Sequence, residues 1–315
     1  MSGDLVATLC QLADPERAAV PVPPGSIDAV LDLAEAHRVL PIVLRKLGDQ
    51  VPEPRLGTLR RQMTDWIGPM LHLRMVSAQV NALVARGAAA AVVKGPELAD
   101  AAYPTRADRP FTDLDIVASP EAHAALGELL HGLGYRLYRK PVMDHTESNQ
   151  EQKWIHPEIP ALLVEVHGNL VHYAALRRRV SFGYAELKRS EAASPELARF
   201  CTVVVHATLG HKLHQLKMLV DVLQTYRRLG PHDVATLPKL VAELGFALEV
   251  GLCLDLVAKL FELPAAAELA RAVYPVERPY RRLVSLGTVL AYPKSRMAAA
   301  RHHLFRACQY LVPRR

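Results

Sequence analysis

An α+β fold is predicted for this 315-residue chain by three observations. Between residues 87 and 190, short apolar runs first alternate with helical patterns and then follow one another in series, the order of a small mixed sheet with helices on one face. Before residue 86 the apolar residues recur at helical spacing. From about Ala193 onward they do so again. The expected organisation is an N-terminal helical segment over 1–86, a sheet core over 87–190 and a C-terminal helical bundle over 191–315 that closes a cleft.

Ser26-Ile27-Asp28 opens a helix in which Val30, Leu31, Leu33 and Ala34 fall at helical spacing. His37-Arg38-Val39-Leu40-Pro41 ends it and opens a second, short one. Pro52 and Pro54 mark a loop, and Arg55 to Val84 reads as one long helix kinked at Gly68-Pro69. Ala88 to Val93, bounded by Gly87 and Gly95, has the length of a buried strand. A short helix over Glu97 to Ala102 and a loop with Pro104 and Pro110 lead to a strand over Thr112 to Ala118. Pro120 to Leu133 is a helix with proline in its first turn and a glycine after its end. Tyr135 to Arg139, Gln152 to His156 and Leu162 to Val166 are the remaining strands. Phe200 to Leu229 reads as a single helix carrying Val204, Leu209, Leu213, Leu216, Leu219 and Leu223, stopped by Gly230-Pro231; Pro264 interrupts the helices that follow.

Lys and Arg number 38 against 32 Asp and Glu, a formal charge of +6 that favours polyanionic partners such as nucleotides or RNA. The tight run Arg177-Arg178-Arg179 is read as a solvated face. The four cysteines are far apart and form no CxxC pair, which argues against a zinc site or a disulfide framework and for reduced cytosolic thiols. No secretory leader pattern and no run of 18 uncharged apolar residues is present, so a cytoplasmic protein with no membrane span is expected.

The chemistry concentrates in Arg109-Pro-Phe-Thr-Asp113-Leu-Asp115-Ile-Val117. In a strand, positions 113 and 115 share a face, while Leu114, Ile116 and Val117 are expected to enter a core. Two carboxylates side by side repel unless a cation holds them, and Mg²⁺, which leaves room for substrate phosphates, is the usual solution. Leu162 to His167 alternates in the same way, so Glu165 and His167 share a face; a glutamate in an apolar strand is costly unless paired or metal-bound. If the two strands are neighbours, Asp113, Asp115 and Glu165 converge as a metal-ligating, catalytic set of the kind that holds two Mg²⁺ ions for phosphoryl transfer. Lys94 and Gly95 follow the first strand: the glycine lets backbone approach a phosphate, and the lysine adds a point charge. Arg109 can neutralise the carboxylates or grip a phosphate through two parallel hydrogen bonds. No G-x-x-x-x-G-K-[ST] loop occurs, which argues against a P-loop NTPase. His206, His211, His214, Lys217 and Asp221 are read as one helix; with no H-E-x-x-H and no third ligand, they argue for a polar stripe rather than zinc, and Lys217 can meet phosphate.

The run Val-Val-Lys94-Gly95-Pro-Glu-Leu-Ala, then Tyr103-Pro, then Arg109-Pro-Phe-Thr-Asp113-Leu-Asp115-Ile-Val resembles the uncharacterised bacterial nucleotidyltransferase family of the DNA polymerase β-like superfamily. So do Ala36-His37-Arg38-Val39-Leu40-Pro41 and the segment holding His206 and Asp221, and the resemblance spans most of residues 27 to 262. It implies a small sheet of the nucleotidyltransferase type in which Asp113 and Asp115 are the metal-binding pair and Lys94-Gly95 the phosphate-side turn. Glu165 and His167 match the family's later Asp-Leu-His-Trp motif, which here reads Glu-Val-His-Gly. The implied reaction is Mg²⁺-dependent transfer of a nucleoside monophosphate from an NTP to an acceptor hydroxyl or phosphate, in a setting such as natural-product, peptide or polysaccharide biosynthesis. Glu165 is then third ligand or general base, and Lys94, Gly95, Arg109, His167 and Lys217 contact substrate. The acceptor is open: small molecule, peptide or RNA. The alternatives are a toxin-like transferase acting on tRNA or a protein, a catalytically silent binding or scaffold module, and transfer of a sugar or phosphate from a nucleotide-activated donor. On this reading, Asp113→Asn and Asp115→Asn each abolish turnover with little loss of fold. The oligomeric state is not fixed by the sequence.

Overall fold

The alternation of side chains in two central strands organises the molecule. The computed structural model describes residues 3–138, 151–211, 213–275, 283–291, 296–312 and 314. Its sheet contains β1 (Ala90–Val92), β2 (Asp113–Ala118), β3 (Arg136–Leu137), β4 (Glu151–His156) and β5 (Ile159–His167), in the order β1-β2-β5-β4-β3. β2 and β5 pair in parallel, and the other neighbours are antiparallel. The sheet is therefore mixed, as expected; the predicted end of the third strand at Arg139 lies outside the described residues.

Leu114, Ile116, Leu162, Val164 and Val166 are fully buried and point to one face. There they pack against Leu73, Val76 and Val80 of the helix Ile67–Ala85 and Leu126 and Leu130 of the helix Ala122–Gly132. Asp113, Asp115, Val117, Glu165 and His167 lie on the opposite face. Val117 thus departs from the expectation that it joins Ile116: adjacent strand residues cannot share a face. It packs instead into a second, larger core. That core unites the N-terminal helices Gly3–Ala13, Ile27–Ala36 and Leu40–Leu47 with the later helices Pro195–Val205, Leu216–Tyr226 and Ala247–Phe261. Helices consequently cover both faces of the sheet, not one.

Two predicted helices are broken. Arg55 to Val84 is divided at Trp66 into Glu53–Asp65 and Ile67–Ala85. Pro69 then sits in the first turn of the second helix, where its missing N–H costs no bond. The larger departure is at 206–215. The helix Pro195–Val205 runs into a π-turn, His206–Gly210, and helix resumes only at Leu216. The His211 N–H bonds His206 O at 2.8 Å, five residues back, and Leu213 adopts a left-handed φ of 49°. Arg306, on the helix Arg296–Leu311, donates to the carbonyls of Leu209 and His211. These carbonyls are the ones a continuing helix would have bonded. Among the described residues, no helix is long and apolar enough to cross a membrane.

Candidate active site

Strand register brings two of the three sequence-predicted acids, Asp115 and Glu165, side by side. Asp115 stands opposite Glu165 on the neighbouring parallel strand, with Asp113 one step away on the same face and His167 one step beyond Glu165. Asp113 and Glu165 line a cleft of about 240 Å³, walled by Lys94, Arg109, His206 and Lys217, and Asp115 and His167 are buried beside it.

Asp115 is 1% exposed. Its Oδ1 bonds His167 Nε2 at 3.1 Å, and its Oδ2 lies 2.7 Å from Lys94 Nζ. The second contact is an ion pair without the angles of a directed hydrogen bond. Burial alone would raise the Asp115 pKa; the Lys94 charge and the His167 bond outweigh it and hold the carboxyl well below the usual range. Glu165 behaves oppositely: burial and the adjacent Asp115 charge raise its pKa, although Lys153 Nζ sits 2.6 Å from Oε1. His167 is fully buried, which disfavours its charge, yet its bond to Asp115 raises its pKa overall. Asp113 is half-buried, and among the described residues no cation lies within ion-pair distance of it. One ligand atom each from Asp115, Glu165 and His167 falls within 4.8 Å of the others. Among the described residues Asp113 stands outside that group but lines the same cleft as Glu165; the two carboxylates, with an Asp115 oxygen that has no directed hydrogen bond, offer a hard divalent cation its preferred oxygen donors.

Lys94 and Gly95 end the stretch after β1. The Lys94 ammonium is spent on Asp115 and on His206 Nε2 at 2.6 Å. Burial and that ammonium push the His206 pKa well down. Gly95 has φ +70°, and a Cβ there would stand 3.2 Å from Asp113 O and 3.4 Å from Leu114 Cδ1. Gly95→Ala is therefore expected to cost about 1–3 kcal/mol and to displace the start of β2. Urea denaturation checks this, and an unchanged midpoint would contradict it.

Arg109 is directed away from the paired aspartates. Its Nε and Nη2 donate to Asp221 at 2.7 and 3.0 Å and its Nη1 to Gly95 O at 3.2 Å; Tyr103 OH donates to the same Asp221 at 2.5 Å. Lys217 donates to Pro110 O at 3.0 Å, and burial pulls its pKa down to about 8, with Arg109 adding to the effect. Among the described residues, neither Lys217 nor Arg38 has a carboxylate within 4.0 Å of its cationic group, and both line the cleft. Sequence reasoning missed Arg38. It sits in a left-handed turn, φ 57°, a geometry that the sequence signals only faintly through the helix stop before it. The histidines expected on one helix instead line the break. His167–His172, His172–His211, His206–His211 and His211–His214 are in ring contact, with centroids 4.3 to 5.8 Å apart. Burial depresses His211 to about 3 and His172 to about 4.

No curated protein and no solved structure matches the chain. A family model described as an uncharacterised nucleotidyltransferase matches residues 23–262, a span that contains β1 to β5, the broken helix and every cleft residue named above. The chain belongs to that nucleotidyltransferase family.

Proposed function

We propose that the chain transfers a nucleoside monophosphate from an NTP to an acceptor hydroxyl or phosphate, with Mg²⁺ held by Asp113, Asp115 and Glu165. The register that sets Asp115 beside Glu165, with Asp113 on the same face and lining one cleft with Glu165, carries this reading. A bound Mg²⁺ supplies charge stabilisation for the phosphates. The chain's own residues do the rest. In the step, the acceptor oxygen bonds the α-phosphorus, the bond to the β-phosphate oxygen breaks, and pyrophosphate leaves. Glu165 is the third ligand or the general base; as base it takes the proton of an acceptor hydroxyl, a role that its raised pKa suits. His167 fixes the orientation of Asp115 through Nε2. Gly95 admits the phosphates close to the backbone. Lys217 and Arg38 meet the triphosphate, because the charges of Lys94 and Arg109 are already matched by Asp115 and Asp221.

Calorimetric titration with ATP, GTP, CTP and UTP, with and without Mg²⁺, tests the reading. Mg²⁺-dependent binding that Asp113→Asn removes is expected. No binding of any nucleotide would overturn it in favour of a scaffold. Product mass distinguishes a nucleotidyl from a sugar or phosphoryl product.

The Lys217 and Arg38 assignment makes its own prediction: Lys217→Ala and Arg38→Ala each raise the nucleotide Kd about tenfold, equivalent to about 1.4 kcal/mol. Lys217, facing Arg109, Asp113, Asp221 and Lys94, loses its charge as pH rises through about 8, so wild-type affinity should fall there. Lys217→Arg should flatten that fall, and a flat wild-type profile would remove Lys217 from the triphosphate. Stability moves the other way. Between about 8 and 10.5, the unfolded chain binds a proton that the folded Lys217 does not, so this residue makes stability rise with pH across that window.

A further inference from the structure

Around His167, the residue that bonds Asp115, the structure gathers a second group of ligating side chains. Glu151 of β4 stands opposite His167 of β5 across the antiparallel pair. His172 follows five residues after His167, and its ring lies 5.8 Å from the His167 ring. One ligand atom each from Glu151, His167 and His172 falls within 4.8 Å of the others.

Two buried nitrogens in this group have no protein partner among the described residues: His167 Nδ1 and His172 Nε2. His167 itself is 0% exposed. Unpaired buried polar atoms are uncommon in folded proteins, and two on adjacent imidazoles, beside a carboxylate, call for a shared partner. His167 Nε2 is already engaged by Asp115. A metal-bound imidazole commonly donates its other N–H to a carboxylate, and Asp115 stands in that position to His167.

From this geometry we infer a second cation site, made by Glu151, His167 through Nδ1, and His172 through Nε2, that takes a first-row transition metal of the Zn²⁺ class. Two imidazoles and one carboxylate select such an ion over Mg²⁺, which takes oxygen ligands. Zn–N and Zn–O distances of about 2.0–2.2 Å set tetrahedral ligand atoms about 3.4 Å apart, inside the 4.8 Å that bounds the separations of these three. The ion would tie the segment carrying His172 to the strand pair β4–β5 and would share His167 with the Asp115 contact. It is separate from the Asp113 cleft, and the inference does not depend on nucleotidyl transfer.

The test is direct. Metal-stripped protein is titrated with Co²⁺ and followed by visible ligand-field absorption, and Zn²⁺ affinity is measured by competition with a chromophoric chelator. In excess Mg²⁺, which occupies the oxygen-rich Asp113 cleft, one ion per chain with ligand-field bands is expected. Glu151→Gln and His172→Ala should each weaken Zn²⁺ at least tenfold while circular dichroism shows both variants folded. Asp113→Asn should leave Zn²⁺ affinity unchanged. Absence of Co²⁺ bands in the wild-type chain would overturn the site without recourse to any variant. So would Zn²⁺ affinity that follows Asp113→Asn rather than Glu151→Gln and His172→Ala.

Discussion

Asp113→Asn should abolish transfer and leave the fold intact, whereas Asp115→Asn should abolish transfer and also destabilise the fold. Each substitution takes away one ligand of the proposed ion, so turnover should fall by about 10³-fold or more, the size of the several kcal/mol such an ion supplies. Their structural costs differ because their surroundings differ. Asp113 is half-buried and, among the described residues, has no ion pair, so an amide there replaces a partly solvated carboxylate. Asp115 is buried between Lys94 and His167, and Lys94 is only 6% exposed. Losing one partner of a buried pair costs about 3–5 kcal/mol, because the other keeps an uncompensated charge. The Tm of Asp115→Asn should therefore drop by about 10 °C, and that of Asp113→Asn by little. Lys94→Met combined with Asp115→Asn should recover most of the Tm and none of the turnover. Equal Tm values for the two single variants would contradict the burial argument, and wild-type turnover in both would contradict the metal assignment. Here the structure revises the expectation from sequence that either substitution spares the fold.

The second large effect is at Arg109 and Asp221. This pair joins the loop before β2 to the helix that forms one wall of the cleft. Both residues are buried, and Tyr103 contributes its hydroxyl to the same carboxylate. Asp221→Asn should lower stability by about 3–5 kcal/mol, read as a shift in the urea midpoint. Arg109→Met with Asp221→Leu removes both charges and should restore most of the loss. This double variant also separates two roles for Arg109. If the guanidinium serves only to clamp the wall, Mg²⁺-dependent nucleotide binding survives within about threefold. Loss of more than about tenfold would return Arg109 to the triphosphate.

The strands were legible because alternation needs no knowledge of partners. Leu114-Asp115-Ile116 and Val164-Glu165-Val166 each state which face is apolar, and Gly87 and Gly95 bound β1. What alternation cannot state is where a long side chain goes. Lys94 finds Asp115 twenty-one positions away in sequence, and Arg109 finds Asp221 at a separation of 112. The broken helix was hidden for a related reason. Val204, Leu209, Leu213 and Leu216 keep an α-helical rhythm through a segment that is not α-helical, and the carbonyls freed by the break are bonded by Arg306, almost a hundred residues on. Leu213 accordingly reaches the core from a left-handed backbone that sequence spacing does not reveal.

The pairing of β2 with β5 has a consequence for how the chain reaches a single folded state. Moving one parallel strand by one residue against the other would turn every side chain to the opposite face. Glu165 and His167 would enter the apolar layer beside Leu126 and Leu130, while Val164 and Val166 would face the cleft. An unpaired carboxylate in such a layer is heavily penalised. The polar residues that the proposed chemistry requires therefore also proofread the sheet, discarding misaligned pairings during folding. Replacing Glu165 and His167 together by leucine would remove that check and leave a strand equally content in two alignments.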